Sequence, residues 1–92
     1  MASFLKFGKH VRELRFHLCQ KSEESKELRK FIELYYIAMK QSNPTLPILI
    51  RECSDTQPAL YVRYEYGIER KIPLVSKSYE NIFKDLEHAD AQ

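Results

Sequence analysis

With 92 residues the chain has room for one domain built on a two-layer core, not for a roomy cleft between two domains. Apolar residues make up 43% and charged residues 30%, and two glycines with four prolines exclude collagen-like and low-complexity chains. Lys and Arg number 15 against 13 Asp and Glu, so a net charge of +2 argues against nucleic-acid binding by the chain as a whole.

Met1 to Arg12 carries Lys6, Lys9 and Arg12 and no acidic residue. That bias fits a basic arm. It also fits a mitochondrial presequence, although the usual serine and arginine richness is lacking. We take residues 1–11 as the arm, 12–88 as the domain and 89–92 as a C-terminal tail. From Arg12 to Leu18 the pattern alternates, with Leu14, Phe16 and Leu18 on one face and Glu13, Arg15 and His17 on the other. A period of two predicts a strand with one buried face.

Ser22 can cap a helix whose first turn holds Glu23 and Glu24, where the helix dipole favours anions. Leu28, Phe31, Ile32, Tyr35, Ala38 and Met39 recur at helical spacing. Asn43-Pro44 ends that helix, because a residue before proline avoids helical backbone angles. Ile48-Leu49-Ile50 predicts a second strand, and Ser54 to Pro58 a loop. Leu60, Val62 and Tyr64 alternate with Tyr61, Arg63 and Glu65 in a third strand, followed by a turn at Tyr66-Gly67. Arg70 to Val75 predicts a fourth strand, placed at a sheet edge by Pro73. Ser78 caps a last helix with Tyr79, Ile82, Phe83 and Leu86 on one side.

The order β-α-β-β-β-α predicts an α/β fold. Its sheet is four-stranded and mixed, with both helices on one face and the first two strands parallel. This is a thioredoxin-like layout without the usual middle helix. Only five residues lie between Glu52 and Pro58, too few to form one. The longest uncharged apolar run, Leu46 to Ile50, is too short to span a bilayer, so no direct membrane insertion is expected.

Cys19-Gln20-Lys21-Ser22 falls between the first strand and helix, where a helix N-terminus can lower a thiol's pKa. The pattern is C-x-x-S, and Glu23 and Glu24 would oppose a thiolate. Both a structural or partner-facing thiol and a monothiol redox centre fit. Cys53 ends the second strand, so Cys19 and Cys53 fall at the same end of the sheet, compatible with a disulfide or with two free thiols. Pro58 precedes the third strand, where thioredoxin-like folds carry a cis-proline; a plain loop proline is the alternative. His10, His17 and His88 have no partner at metal-ligand spacing, and no phosphate-binding or hydrolase motif occurs, so no metal or cofactor is expected.

The runs Leu14–Ser22 and Asn43–Ser54, with Gln57-Pro58, Arg63-Tyr64 and Gly67, resemble the small thioredoxin-fold accessory subunits of mitochondrial respiratory complex I, NADH:ubiquinone oxidoreductase. The resemblance extends from about Val11 to Leu86. A sister branch, mitochondrial large-subunit ribosomal proteins, shares the core but has longer basic tails. The net charge of +2 and the acidic end (Asp85, Glu87, Asp90) favour the complex I branch. The resemblance implies a non-catalytic subunit of the respiratory electron-transport chain. It would be docked on the large iron–sulfur subunit of the peripheral arm, on the matrix side of the mitochondrial inner membrane. Two cysteines agree with the absence of a cluster, which needs four ligands.

On this layout Arg15, His17, Arg51, Tyr61 and Arg63 occupy the sheet face that the missing helix leaves open. Tyr and Arg are enriched at interfaces. The face is therefore a candidate partner surface, with a plainly solvated face as the alternative.

Overall fold

The computed structural model describes residues 6–75 and 77–91. Residues 1–5 of the expected arm and Gln92 of the expected tail lie outside the described residues. The elements are β1 (Val11–Leu18), α1 (Lys26–Ser42), β2 (Ile48–Glu52), β3 (Ala59–Tyr64), β4 (Glu69–Pro73) and α2 (Tyr79–Ala91). A short 3-10 turn, Glu23–Ser25, leads into α1. The sheet order is β2-β1-β3-β4, with β1 and β2 parallel and the other two pairings antiparallel. The α/β, mixed-sheet, thioredoxin-like arrangement read from the sequence is thus borne out.

Alternation in β1 and β3 sends Leu14, Phe16, Leu18, Leu60 and Val62 to one face, where each is at most 1% exposed. Leu28, Phe31 and Met39 of α1 and Ile82 and Leu86 of α2 close over that face. Phe31 packs on Phe16 with ring centroids 6.1 Å apart, and Tyr35 joins the helices by meeting Phe83 edge-to-face at 6.0 Å. Burial of each such side chain contributes about 1.5–3 kcal/mol.

The strand begins one residue earlier than expected, with a bulge. Val11 pairs with Tyr64 and Glu13 with Arg63, so Arg12 is the extra residue. Regular alternation would have put Arg12 in the core. The bulge turns it outward and buries Val11 in its place.

The first helix stops where Asn43-Pro44 predicts. Asn43 closes it twice, since its main-chain N–H and its side-chain amide each donate to the Met39 carbonyl at 3.0 Å. The Asn43 Oδ1 also accepts the Phe7 N–H at 2.8 Å, which ties the end of the basic arm to the domain. Ser22 accepts the Ser25 N–H and Ser78 the Asn81 N–H, each at 3.3 Å, so both expected caps are in place. The last helix runs on through Ala91, past the boundary expected after residue 88, and Ala89 is buried against the core.

Pro58 departs from the cis expectation, because no peptide bond among the described residues is cis. Its carbonyl accepts the Leu74 N–H at 3.0 Å and so continues the β3–β4 pairing. That pairing is made with the trans isomer, which X–Pro bonds favour by about 0.5–1 kcal/mol. The outer strands β2 and β4 are short. Pro47 precedes the first of them and Pro73 ends the second.

Candidate functional site

Both helices cover one side of the sheet, so no helix among the described residues covers the other. Register fixes what it displays. One cross-strand row runs Leu49–Arg15–Tyr61–Lys71, the next Arg51–His17–Ala59–Pro73, and a third pairs Glu13, Arg63 and Glu69. The five residues singled out from the sequence therefore share one face. Lys71 and Glu69 belong to it as well. The fourth strand expected from the sequence begins at Arg70, one residue after Glu69, and Pro73 marks it only as an edge, so neither residue stands out before the β3–β4 register is known.

Tyr61 is the centre of the face. The His17 ring lies 4.6 Å from its ring, the Arg15 guanidinium 5.3 Å above it, and the Lys71 ammonium 5.8 Å away. Arg15 is paired with Glu69, and Arg63 with Glu13 at 3.5 Å. Arg51 and Lys71 have no carboxylate partner among the described residues. Burial holds the His17 imidazole below its usual pKa, and the charges of Arg15, Arg51 and Lys71 push it further the same way; Glu69 opposes them. A hollow of about 300 Å³ opens above Ala59, where the side-chain row shrinks to a methyl group.

At the rim of this face stand the two cysteines. The Cys53 N–H donates to the Leu18 carbonyl at 3.0 Å, so β2 delivers Cys53 to the end of β1, where Cys19 follows. Both are free thiols, Cys19 buried and Cys53 exposed. The loop after β2 must cross the end of β1 to reach β3. That crossing brings Asp55, in the left-handed backbone region at φ 60°, over Cys19.

The main-chain N–H groups of Lys21, Asp55 and Ser22 lower the Cys19 thiol from 9.0 to about 7, against the opposing effect of burial. The expectation that Glu23 and Glu24 would oppose a thiolate is therefore overridden. Both carboxylates are exposed to water, whereas the main-chain donors have the largest influence on the thiol. The Cys19 main chain is clamped too. Its N–H donates to the buried Ser25 Oγ at 3.0 Å and its carbonyl accepts from Arg29 at 2.9 Å. Nothing in the sequence pattern marks Ser25, Arg29 or Asp55 for these roles.

Residues 28–79 match the family model described as "Mitochondrial ribosomal protein L51 / S25 / CI-B8 domain". The chain belongs to this L51 / S25 / CI-B8 family. The matched span takes in α1 from Leu28 onward, all of β2 to β4 and the loop over Cys19, hence Arg51, Cys53, Pro58, Tyr61 and Arg63. The chain is 42% identical over 78 residues to NADH dehydrogenase [ubiquinone] 1 alpha subcomplex subunit 2 of Mus musculus, covering 85% of this chain and 79% of that protein. It is 46% identical over 81 residues to the protein of the same name in Arabidopsis thaliana, covering 88% and 84%. A Neurospora crassa relative, the NADH-ubiquinone oxidoreductase 10.5 kDa subunit, is 42% identical over 82 residues, covering 89% and 87%. The L51 / S25 / CI-B8 family name spans ribosomal and complex I proteins, and these three relatives are all of the complex I kind.

Proposed function

We propose that the chain is an accessory subunit of mitochondrial respiratory complex I. It carries out no electron transfer itself and stabilises the assembled matrix-side peripheral arm. The observation that carries this reading is the 42–46% identity to three complex I subunits over most of both chains. Its partners are then other complex I proteins, and its place is the mitochondrion. The large iron–sulfur subunit is the partner we assign to the uncovered sheet face. Two features support a positional role. One is the interface-type Tyr and Arg content of that face; the other is a cysteine count too low for a cluster.

Deletion of the chain tests the reading. Native gels should show less assembled peripheral arm, and NADH dehydrogenase activity should fall in proportion. Normal levels and activity of complex I after deletion would refute it. So would sedimentation of the chain with mitochondrial ribosomes instead of complex I.

A further inference from the structure

We propose that the hollow above Ala59 is the seat of a carboxylate side chain from an acidic segment of the subunit that covers this face. The inference rests on the docking reading above and adds the partner's chemistry to it. Its first support is charge. Of the four cations on the face, Arg15 and Arg63 are already paired with Glu69 and Glu13. Arg51 and Lys71 are left over, on either side of His17 and Tyr61. A partner that buried them without supplying negative charge would strand two desolvated cations.

The second support is the lining. His17, Lys71, Tyr61, Thr56 and Gln57 each offer a donor, and no carboxylate among the described residues lines the hollow. Its volume of about 300 Å³ admits a Glu or Asp side chain with adjoining main chain. Nucleic acid fits less well, since two unpaired cations do not make the run of phosphate contacts such binding needs.

The titration of His17 links binding to pH. The groups that face it are Arg15 on its own strand, Arg51 on β2, Tyr61 on β3, and Lys71 and Glu69 on β4. Burial first, and then the positive charges of Arg15, Arg51 and Lys71, hold a proton off the ring. A seated carboxylate cancels part of that positive field, so the ring takes up a proton and binding strengthens as pH falls through the His17 pKa.

The test uses the full chain and acetyl-pentaglutamate-amide as probe, followed by nuclear magnetic resonance of the His17 ring protons. Pentaglutamate should raise the His17 pKa, and Lys71→Gln should weaken binding about five-fold while leaving the melting temperature unchanged. No shift of the His17 resonances at 10-millimolar-scale peptide, equal binding of acetyl-pentaglutamine-amide, or tighter binding of a decauridylate would each overturn the proposal. In cells, the double variant Arg51→Glu/Lys71→Glu should fail to enter complex I. Its normal incorporation would overturn the carboxylate seat and leave the subunit reading standing. Absence of the wild-type chain from complex I would instead sink the subunit reading.

Discussion

Arg29 holds Cys19 from ten residues away, its guanidinium donating to the Cys19 carbonyl at 2.9 Å and also to the Ser22 carbonyl at 3.0 Å. The first turn of α1 thus fixes the main chain from which the thiol projects. Replacing Arg29 by Met keeps the aliphatic stem and removes both bonds. Charged hydrogen bonds contribute about 1.5–3 kcal/mol when buried, and this site is half-buried, so a loss of about 1–2 kcal/mol is expected. Urea denaturation reads it directly, and an unchanged midpoint would show that the clamp is not stabilising.

The Cys19 thiol should ionise near pH 7 and not near 9. In a Cys53→Ser background, thiolate absorbance against pH reports Cys19 alone. The sign for stability follows from a folded-state pKa that is lowered. The thiolate's contribution is fully present above the unfolded value of about 8.5–9 and is lost as pH falls through about 7. The melting temperature of the Cys53→Ser chain should therefore rise between pH 7 and 9 relative to its Cys19→Ala counterpart. A parallel pair of curves would contradict the N–H cradle.

Oxidation should join Cys19 to Cys53. The two follow directly on the paired ends of β1 and β2, and the Cys19 thiolate is available at neutral pH to attack. We propose an intramolecular bridge that closes a long loop and stabilises the isolated chain by about 2–4 kcal/mol. Diamide treatment followed by mass spectrometry should find a loss of two hydrogens in a monomer. A disulfide-linked dimer through the exposed Cys53 would be the contrary outcome.

The turn between β3 and β4 stores strain. Tyr66 and Gly67 both have positive φ, 66° and 75° respectively. That pair of angles belongs to type I′ turns, which favour Asn-Gly. Tyr66 is 95% exposed, so its ring adds little packing to offset the cost. Tyr66→Asn should raise stability by about 0.5–1 kcal/mol, whereas Gly67→Ala should lower it by about 1 kcal/mol. Paired thermal melts would check both signs.

Much of the layout could be read from residue periodicity, since Leu14, Phe16 and Leu18 and the Leu28-to-Met39 stripe each match one element's period. What escaped detection has a physical cause in each case. A bulge at Arg12 adds one residue without demanding a particular residue type. The run of α2 to Ala91 has no glycine or proline to stop it after Leu86. The donors at Cys19 are main-chain groups, and Asp55 reaches it only because the loop crosses β1, a matter of topology. The five outward residues were legible from alternation. Which of their cations are already paired became visible only once Glu69 was placed beside Arg15 and Glu13 beside Arg63.

The two outer strands bear on the life of the chain before it finds its complex. An open strand edge invites a second copy to add to the sheet, and a subunit awaiting partners would then be lost to fibres. Here β2 is five residues long, enters behind Pro47 and leaves on Arg51-Glu52, while β4 bears Glu69, Arg70 and Lys71 and ends on Pro73. Short length, charge and proline each penalise such addition. The edges of an unassembled copy are thus built against pairing with a second one.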